Sequence, residues 1–228
     1  MDISDYIINT YWDSIVFGID TFEITKPAEE VFRFIINNGK TGHYTVKVNP
    51  LSSKKKLHDY GFYYCDTLVE PYCHVKNFVE LKNDNFSIYI NFSANIEEMV
   101  TICHGAFRHG RFHRDFSLDK NLADIRYDLW LKDLHKNQCV FGLMDGDQVA
   151  GFFGFAHNKI VLHALSEDYR GKGLAKYFWS SACRELFRRG HKELFSSISV
   201  SNVRVINLYS SLGFRLRNPL DVYHLRIM

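Results

Sequence analysis

The sequence predicts a mixed α/β protein with a mixed, mostly antiparallel sheet flanked by helices. The segment from Phe86 to Phe92 alternates apolar and polar side chains with the period of two expected for a half-buried strand. Between Cys139 and Leu165, three apolar runs are separated by short turn signals, as in an antiparallel meander. The runs from Leu122 to His135 and from Tyr177 to Phe187 instead have the apolar stripe of a packed helix.

The N-terminal part is predicted to be a separate mixed α/β domain. Pro27 opens a helix there, because proline is favoured at the first helical position, and Pro71 is expected to end a strand. A polar stretch, Glu80 to Asn85, is the linker candidate, so the predicted domains are residues 1–85 and 86–228. The N-terminal elements are predicted to be strand Asp20–Thr25, helix Ala28–Ile36, strand Tyr44–Val48, helix Ser52–Asp59 and strand Phe62–Val69.

The C-terminal part is predicted to contain strands and helices in a specific order. Ser93 or Asn95 can cap the helix that follows the first strand, with Glu97 and Glu98 in its first turn. That helix is predicted to end near Phe107. The elements after it are predicted to be helix Leu122–His135, hairpin strands Cys139–Met144 and Val149–Ala156, strand Lys159–Leu165, a helix to about Arg189, strand Glu193–Val200, helix Asn202–Leu212 and strand Tyr223–Met228.

Composition excludes several classes of protein. The formal net charge of +2 over 228 residues is too small to indicate nucleic-acid or membrane binding. Five cysteines without a CxxC pair favour reduced thiols over a disulfide framework or a zinc site. The acidic N-terminus lacks a signal-peptide pattern and no apolar run is as long as a membrane span, so we expect a cytoplasmic protein.

The segment Tyr169 to Lys176 is the strongest candidate for a binding site. Glycines at a strand-to-helix junction let the backbone approach a ligand, and the first N–H groups of the helix favour an anion. Arg170, Lys172 and Lys176 add positive charge around Gly171 and Gly173. The segment therefore predicts a phosphate or pyrophosphate site. The dinucleotide GxGxxG and the P-loop GxxxxGK(S/T) patterns are both absent, and the meander before the loop also argues against those two folds.

Two motifs resemble those of the GNAT acetyltransferase family. Arg170-Gly171-Lys172-Gly173-Leu174-Ala175 is similar to its R/Q-x-x-G-x-G/A motif. Asn202 followed by Leu208-Tyr209 and Gly213-Phe214 resembles its second signature, an asparagine and then L-Y-x-x-x-G-F. The resemblance covers about residues 86–228 and implies the GNAT fold and acetyl-CoA as co-substrate, with no metal.

The resemblance also implies roles for individual residues. Tyr209 would be the general acid that protonates the leaving thiolate, and Asn202 would hydrogen-bond the pantetheine arm. The backbone of His163, Ala164 and Leu165 would run beside that arm. The CoA pyrophosphate would be held by the residues of the loop and helix start, which are Arg170, Gly171, Lys172, Gly173, Leu174, Ala175 and Lys176.

A closer resemblance, to the TDP-fucosamine acetyltransferases of enterobacterial surface-polysaccharide synthesis, covers nearly the whole chain. It is carried by Trp12-Asp13-Ser14-Ile15-Val16-Phe17-Gly18 and Gly110-Arg111-Phe112-His113. It implies that the N-terminal domain is a truncated copy of the acetyltransferase fold and that the acceptor is a nucleotide-linked amino sugar. Ser197 stands where ribosomal-protein acetyltransferases of the superfamily often have a glutamate, which also favours a small amino sugar over a protein N-terminus.

Several alternatives stay open on the sequence. The substrate could be a protein or peptide amine, or the chain could be a CoA-binding module without activity, and a homodimer is not excluded. Arg108, Arg111 and Arg114 could contact a nucleotide diphosphate or form a solvated basic loop. His104, His109 and His113 have no cysteine or carboxylate in register, so unpaired surface histidines are favoured over a metal site.

Overall fold

A computed structural model describes residues 2–228 as a mixed α/β fold with a mixed sheet and flanking helices, as predicted. The strands are β1 (Ile7–Asn9), β2 (Thr21–Ile24), β3 (Gly42–Val48), β4 (Tyr63–His74), β5 (Ile88–Asn91), β6 (Val140–Asp145), β7 (Gln148–Ala156), β8 (Lys159–Leu165), β9 (Glu193–Ser196), β10 (Ile198–Ser199) and β11 (Arg215–Ile227). The helices are α1 (Tyr11–Phe17), α2 (Glu29–Asn38), α3 (Lys55–Asp59), α4 (Ile96–Cys103), α5 (Arg111–Arg114), α6 (Lys120–Lys136), α7 (Ala175–Arg188) and α8 (Val203–Ser211).

The chain forms two compact units that are not continuous in sequence. The first comprises Met1–Leu68, Arg108–Arg126 and Pro219–Met228, and the second comprises Val69–Phe107 and Tyr127–Asn218. The domain boundary near residue 85, and the truncated-copy origin of the N-terminal part, stay predictions.

In the first unit, the sheet order is β1-β2-β3-β11, with β2 parallel to β3 and the other pairs antiparallel. Helix α2 covers this sheet because Val31, Phe32 and Ile35 fall on one face and are buried. They pack with strand residues such as Tyr44 and Val46 in one hydrophobic core.

In the second unit, β6 to β8 form the predicted antiparallel meander, with β5 antiparallel to β6 at one side, and β8 then pairs in parallel with β9. Gly146 has φ +55° in the two-residue turn between β6 and β7, a conformation that glycine adopts without steric cost. Helix α7 buries Phe178, Trp179 and Leu186 in the core of this unit. The core positions α7 and α8 against the strands that form the candidate site.

The predicted bounds are wrong for four elements, which are α4, β4, the strand Glu193–Val200 and β11. Helix α4 keeps its Asn95 cap but ends at Cys103 instead of near Phe107, because Gly105 turns the chain at φ +73°. Strand β4 continues past Pro71 to His74, because the residues from Tyr72 to His74 pair with β9. The predicted strand Glu193–Val200 is split at Ser197 into β9 and β10.

Strand β11 begins eight positions before the predicted Tyr223, at Arg215. Its first half is polar and lacks the apolar alternation that identifies a strand. Arg217 there forms ion pairs with Glu70 and Glu193, and its guanidinium lies 4.1 Å from the Tyr72 ring centroid. Ion pairs rather than apolar packing therefore hold this segment in place.

None of the helices within residues 2–228 has the length and apolarity needed to cross a membrane.

Candidate active site

The candidate site lies where strands β8 and β9 separate in the second unit. The two strands pair at only two registered positions, Lys159 with Phe195 and Ile160 with Ser196. Strand β8 nevertheless continues to Leu165 along β7 on its other side. The hydroxyl of Ser196 donates to the carbonyl of Ile160 at 2.9 Å and so secures the last paired position. Beyond it, His163 and Ala164 lie on the diverging part of β8.

Tyr209 of α8 places its hydroxyl at this divergence. The side chain is wholly buried, and its phenolic oxygen lies 2.9 Å from Nε2 of His163. The two rings meet edge to face at 5.8 Å between centroids. Gly213 has φ +84° just after α8, as predicted for the residue that ends this helix. A tyrosine hydroxyl buried against an imidazole is well placed to hold and transfer a proton.

The protonation states of this pair are set by burial. Burial lowers the pKa of His163 to about 4, so the imidazole is neutral at neutral pH. A hydrogen bond from the ring to the backbone of His163 itself acts in the opposite direction on this pKa. With the phenol as the donor to Nε2, the neutral ring carries its hydrogen on Nδ1. Burial also raises the pKa of Tyr209 well above its usual range, so the phenol keeps its proton.

The predicted phosphate loop has the geometry of an anion site. Gly171 and Gly173 both have positive φ, +74° and +71°, and both are exposed. Helix α7 starts at Ala175, and no side chain caps the N–H groups of its first turn. Those N–H groups need an acceptor from outside the helix, and a phosphate oxygen is a suitable one.

Arg170 has a more local contact than predicted. Its Nε donates to the carbonyl of Leu165 at 2.7 Å, and its terminal nitrogen lies 3.9 Å from a carboxylate oxygen of Glu167. The side chain therefore ties the loop to the end of β8. The Leu165 carbonyl is engaged by this bond, so the strand backbone available beside a ligand is that of His163 and Ala164.

Lys172 and Lys176 line a cleft of about 720 Å³ beside the loop. The cleft also has acidic and aromatic walls, including Asp145 and Tyr169, whose hydroxyl donates to Asp145 at 3.2 Å. Tyr209 is not among the residues that line it. The cleft is thus adjacent to the loop rather than part of the divergence between β8 and β9.

Asn202 is the N-cap of α8. Its side-chain oxygen accepts from the Val205 N–H at 3.3 Å, which leaves the amide group as a donor. The spacing of seven residues places Asn202 and Tyr209 two helical turns apart, as the sequence predicts.

A second cluster of titratable side chains is buried in the first unit. Oδ2 of Asp115 accepts from Nε2 of His43 at 2.8 Å and from Nδ1 of His224 at 2.5 Å. Oδ1 accepts from the hydroxyl of Tyr63 at 2.9 Å and the N–H of Ser117 at 2.7 Å. His43, Asp115 and His224 are residue types that can ligate a metal. Within residues 2–228, they are the group whose candidate ligand atoms lie within 4.8 Å of one another. Four donors already contact the carboxylate oxygens.

The three histidines considered for a metal site lie apart in function. His104 pairs with Asp128 at 2.7 Å, whereas His113 pairs with Asp124 at 2.8 Å. The prediction of unpaired surface histidines is therefore wrong for His104, which is paired, and for His113, which is paired and has a side chain only 6% exposed. In the arginine-rich stretch, Arg114 forms an ion pair with Asp66 at 2.9 Å and Arg111 lies over the ring of Phe112.

The side chain of His163 was missed by the sequence argument, which assigned this residue only a backbone role. The available signal was a single imidazole in an otherwise apolar strand, Ile160 to Leu165. Its partner lies 46 residues away in the sequence, so no local pattern connects the two.

The segment that contains the candidate site matches a known protein family. Residues 102–214 match the family model described as the acetyltransferase (GNAT) family. This segment contains His163, the glycine loop, Asn202 and Tyr209. No curated protein matches the chain.

Several solved structures of similar fold are described as GNAT proteins or acetyltransferases. A GNAT protein from Sphaerobacter thermophilus superposes with a TM-score of 0.66 at 10% identity, over 96% of this chain and 75% of its own. A tandem GNAT protein from the clavulanic acid biosynthesis pathway has a TM-score of 0.56 at 10% identity, over 92% and 76%. A glucosamine N-acetyltransferase region of a fungal β-N-acetylglucosaminidase has a TM-score of 0.51 at 12% identity, over 85% of this chain and 26% of that one.

Proposed function

We propose that this protein, whose residues 102–214 match the acetyltransferase (GNAT) family model and whose fold agrees, is an acetyltransferase that acetylates the amine of a nucleotide-linked amino sugar. The donor is acetyl-CoA, and the acceptor class is represented by a TDP-4-amino-4,6-dideoxyhexose. The observation that carries the proposal is the buried Tyr209 hydroxyl at the divergence of β8 and β9, held by His163.

Acetyl-CoA fits the residues around this divergence. Its pyrophosphate would accept from the uncapped N–H groups at the start of α7, after the positive-φ glycines Gly171 and Gly173. Its pantetheine arm would run along the diverging backbone of β8, as an added strand does, with the Asn202 amide as a further donor.

The chemistry is a direct transfer in which both substrates are bound together. The neutral amine attacks the thioester carbonyl, the carbon–nitrogen bond forms, and the oxyanion accepts from a backbone N–H of β8. The carbon–sulfur bond then breaks and CoA leaves as a thiolate, which takes the proton of Tyr209. The attacking nitrogen releases its extra proton as the amide forms, and this proton restores the phenol. A positioned acid of this kind contributes roughly 10²–10⁴-fold to the rate.

The amine must lose a proton before it attacks, since an alkyl amine with a pKa near ~10.4 is mostly protonated at neutral pH. Ser197 offers no carboxylate at the position where relatives that acetylate proteins often have one. His163, with a pKa of about 4, is too weak a base to remove this proton at neutral pH. The proton therefore leaves through water, as suits an exposed amino group on a small sugar.

The acceptor class rests on two lines of support. The segments Trp12 to Gly18 and Gly110 to His113 resemble the TDP-fucosamine acetyltransferases. One protein of similar fold is named as a glucosamine N-acetyltransferase region, which also acts on an amino sugar. The N-terminal domain would then be a truncated acetyltransferase copy, and Arg108, Arg111 and Arg114 are candidates for contacts with the diphosphate.

A panel of acceptors tests this proposal. The protein is incubated with acetyl-CoA and TDP-4-amino-4,6-dideoxyhexoses, glucosamine, a lysine peptide or a peptide with a free N-terminus, and the released thiol is followed. We expect turnover on a TDP-amino sugar and little on the peptides. Turnover on a peptide alone would overturn the acceptor class. Binding of acetyl-CoA without turnover on any amine would overturn the assignment of amine acetylation.

A further inference from the structure

The indole N–H of Trp179 is a buried donor beside the Tyr209–His163 pair. Trp179 lies on α7, is 2% exposed, and its Nε1 has no hydrogen-bond partner within residues 2–228. Its ring centroid is 4.9 Å from that of His163 and 5.9 Å from that of Phe153, edge to face in both cases. The N–H is therefore fixed by tight packing and not by a bond of its own.

A donor left in this state costs free energy. A buried N–H without an acceptor costs about 1–3 kcal/mol, and such groups are rare in folded proteins unless they serve a function. Replacing the indole by a phenyl ring would remove this cost. The position therefore suggests an acceptor that becomes strong only during the reaction.

The Tyr209 oxygen is the acceptor that changes in this way. Burial has the largest effect on the pKa of Tyr209 and raises it, whereas Ser196 and Trp179 both act to lower this pKa. The Ser196 proton is already donated to the carbonyl of Ile160 at 2.9 Å. His163 accepts from the phenol at Nε2 and offers no second donor there. The indole N–H is thus the donor still available to the phenolic oxygen.

We propose that Trp179 is a positioning residue that stabilises the Tyr209 phenolate formed as the leaving thiolate is protonated. This inference rests on the proposed function and adds a residue to it. In the step, the O–H bond of Tyr209 breaks and the S–H bond of coenzyme A forms. The indole keeps its proton and donates a hydrogen bond to the phenolate. The phenolate then takes the proton that the attacking nitrogen releases as the amide forms, and the phenol is restored.

A double-mutant cycle tests the proposal with Trp179→Phe, Tyr209→Phe and the combined variant. Trp179→Phe is expected to lower kcat about 10-fold, the rate equivalent of about 1.4 kcal/mol, with an unchanged Kd for acetyl-CoA. In the Tyr209→Phe background the same change is expected to have no further effect, since no phenolate forms there. Trp130→Phe, at a partly buried position of α6, is the control for loss of a tryptophan.

The outcomes separate the inference from the proposed function. An unchanged kcat in Trp179→Phe, or an equal loss in both backgrounds, would overturn the role of Trp179 while Tyr209→Phe still shows its own loss. Wild-type turnover in Tyr209→Phe would overturn the proposed acid itself. Replacing Trp179 with 3-benzothienylalanine, which keeps the bicyclic shape but lacks the N–H, gives the same test if the phenylalanine variant does not fold.

Discussion

The Tyr209 hydroxyl lies 2.9 Å from Nε2 of His163, although the two residues are 46 positions apart in the sequence. Because burial keeps the imidazole neutral, His163 can orient the phenol without competing for its proton at neutral pH. In the proposed mechanism, the proton therefore stays on Tyr209 until the departing thiolate takes it.

The orienting role of His163 predicts different effects for two substitutions. His163→Leu removes the acceptor and is expected to lower kcat about 10-fold, because a net hydrogen bond contributes up to about 1.5 kcal/mol. His163→Gln keeps an acceptor oxygen and should lose less. Steady-state kcat of both variants checks this, and equal losses would show that the ring, not the acceptor, is what matters.

The glycine loop predicts a loss of acetyl-CoA affinity on adding a side chain. Gly171→Ala and Gly173→Ala each force a non-glycine residue to positive φ, which costs about 1 kcal/mol or shifts the loop away from the anion. We expect a higher Kd for acetyl-CoA by calorimetry.

Gly190→Ala is the matched control for these loop variants. Gly190 also has positive φ, +95°, and has open space where a Cβ would lie, but it follows the other end of α7. A similar fall in thermal stability with an unchanged Kd is expected for it. If the Kd for acetyl-CoA were also unchanged in the two loop variants, the proposal that this loop binds acetyl-CoA would be contradicted.

Asn202 has two roles that substitutions can separate. Asn202→Ala removes both the helix cap and the amide donor, so it should cost about 1 kcal/mol of stability and also weaken acetyl-CoA binding. Asn202→Ser keeps a neutral cap and loses only the amide donor. Thermal unfolding and calorimetry together test this: normal binding by the serine variant would leave Asn202 with the capping role alone.

The buried cluster around Asp115 predicts that stability falls in acid. Burial lowers the pKa of His224 to about 4, against about 6.5 for an unfolded histidine. Between these values the unfolded chain binds the proton and the folded one does not, so the free energy of unfolding decreases as pH falls through this window. Burial acts to raise the pKa of Asp115, but the bonds from His224 and His43 outweigh it and hold this pKa below its usual range.

A thermal midpoint measured from pH 8 to pH 4 checks the direction of this effect. His224→Asn retains an N–H donor for Asp115 but cannot titrate, so its midpoint should fall less steeply across the same range. An identical pH dependence in the two proteins would place the acid sensitivity elsewhere.

Local sequence was sufficient for the parts of the site that lie within one segment. The glycines, the start of α7, and the spacing of Asn202 and Tyr209 follow from turn, capping and helical-period rules, and the structure places them on the predicted elements. The β-meander was equally readable from its alternation and turns.

Contacts between distant elements were not predictable in the same way. His163, Trp179 and Tyr209 come from β8, α7 and α8, and each has an ordinary apolar-core environment in its own segment. The break at Ser197 was hidden because the residues on both sides of it are buried and strand-like. The polar start of β11 was hidden because ion pairs of Arg217 replace the apolar pattern.

The central claim is that Tyr209 protonates the leaving thiolate during acetyl transfer to an amine. Tyr209→Phe keeps the buried ring and removes only the hydroxyl, so it tests this claim most directly. With acetyl-CoA and a TDP-amino sugar, we expect kcat to fall roughly 10²–10⁴-fold while the Kd for acetyl-CoA is unchanged. Wild-type kcat in this variant would contradict the claim.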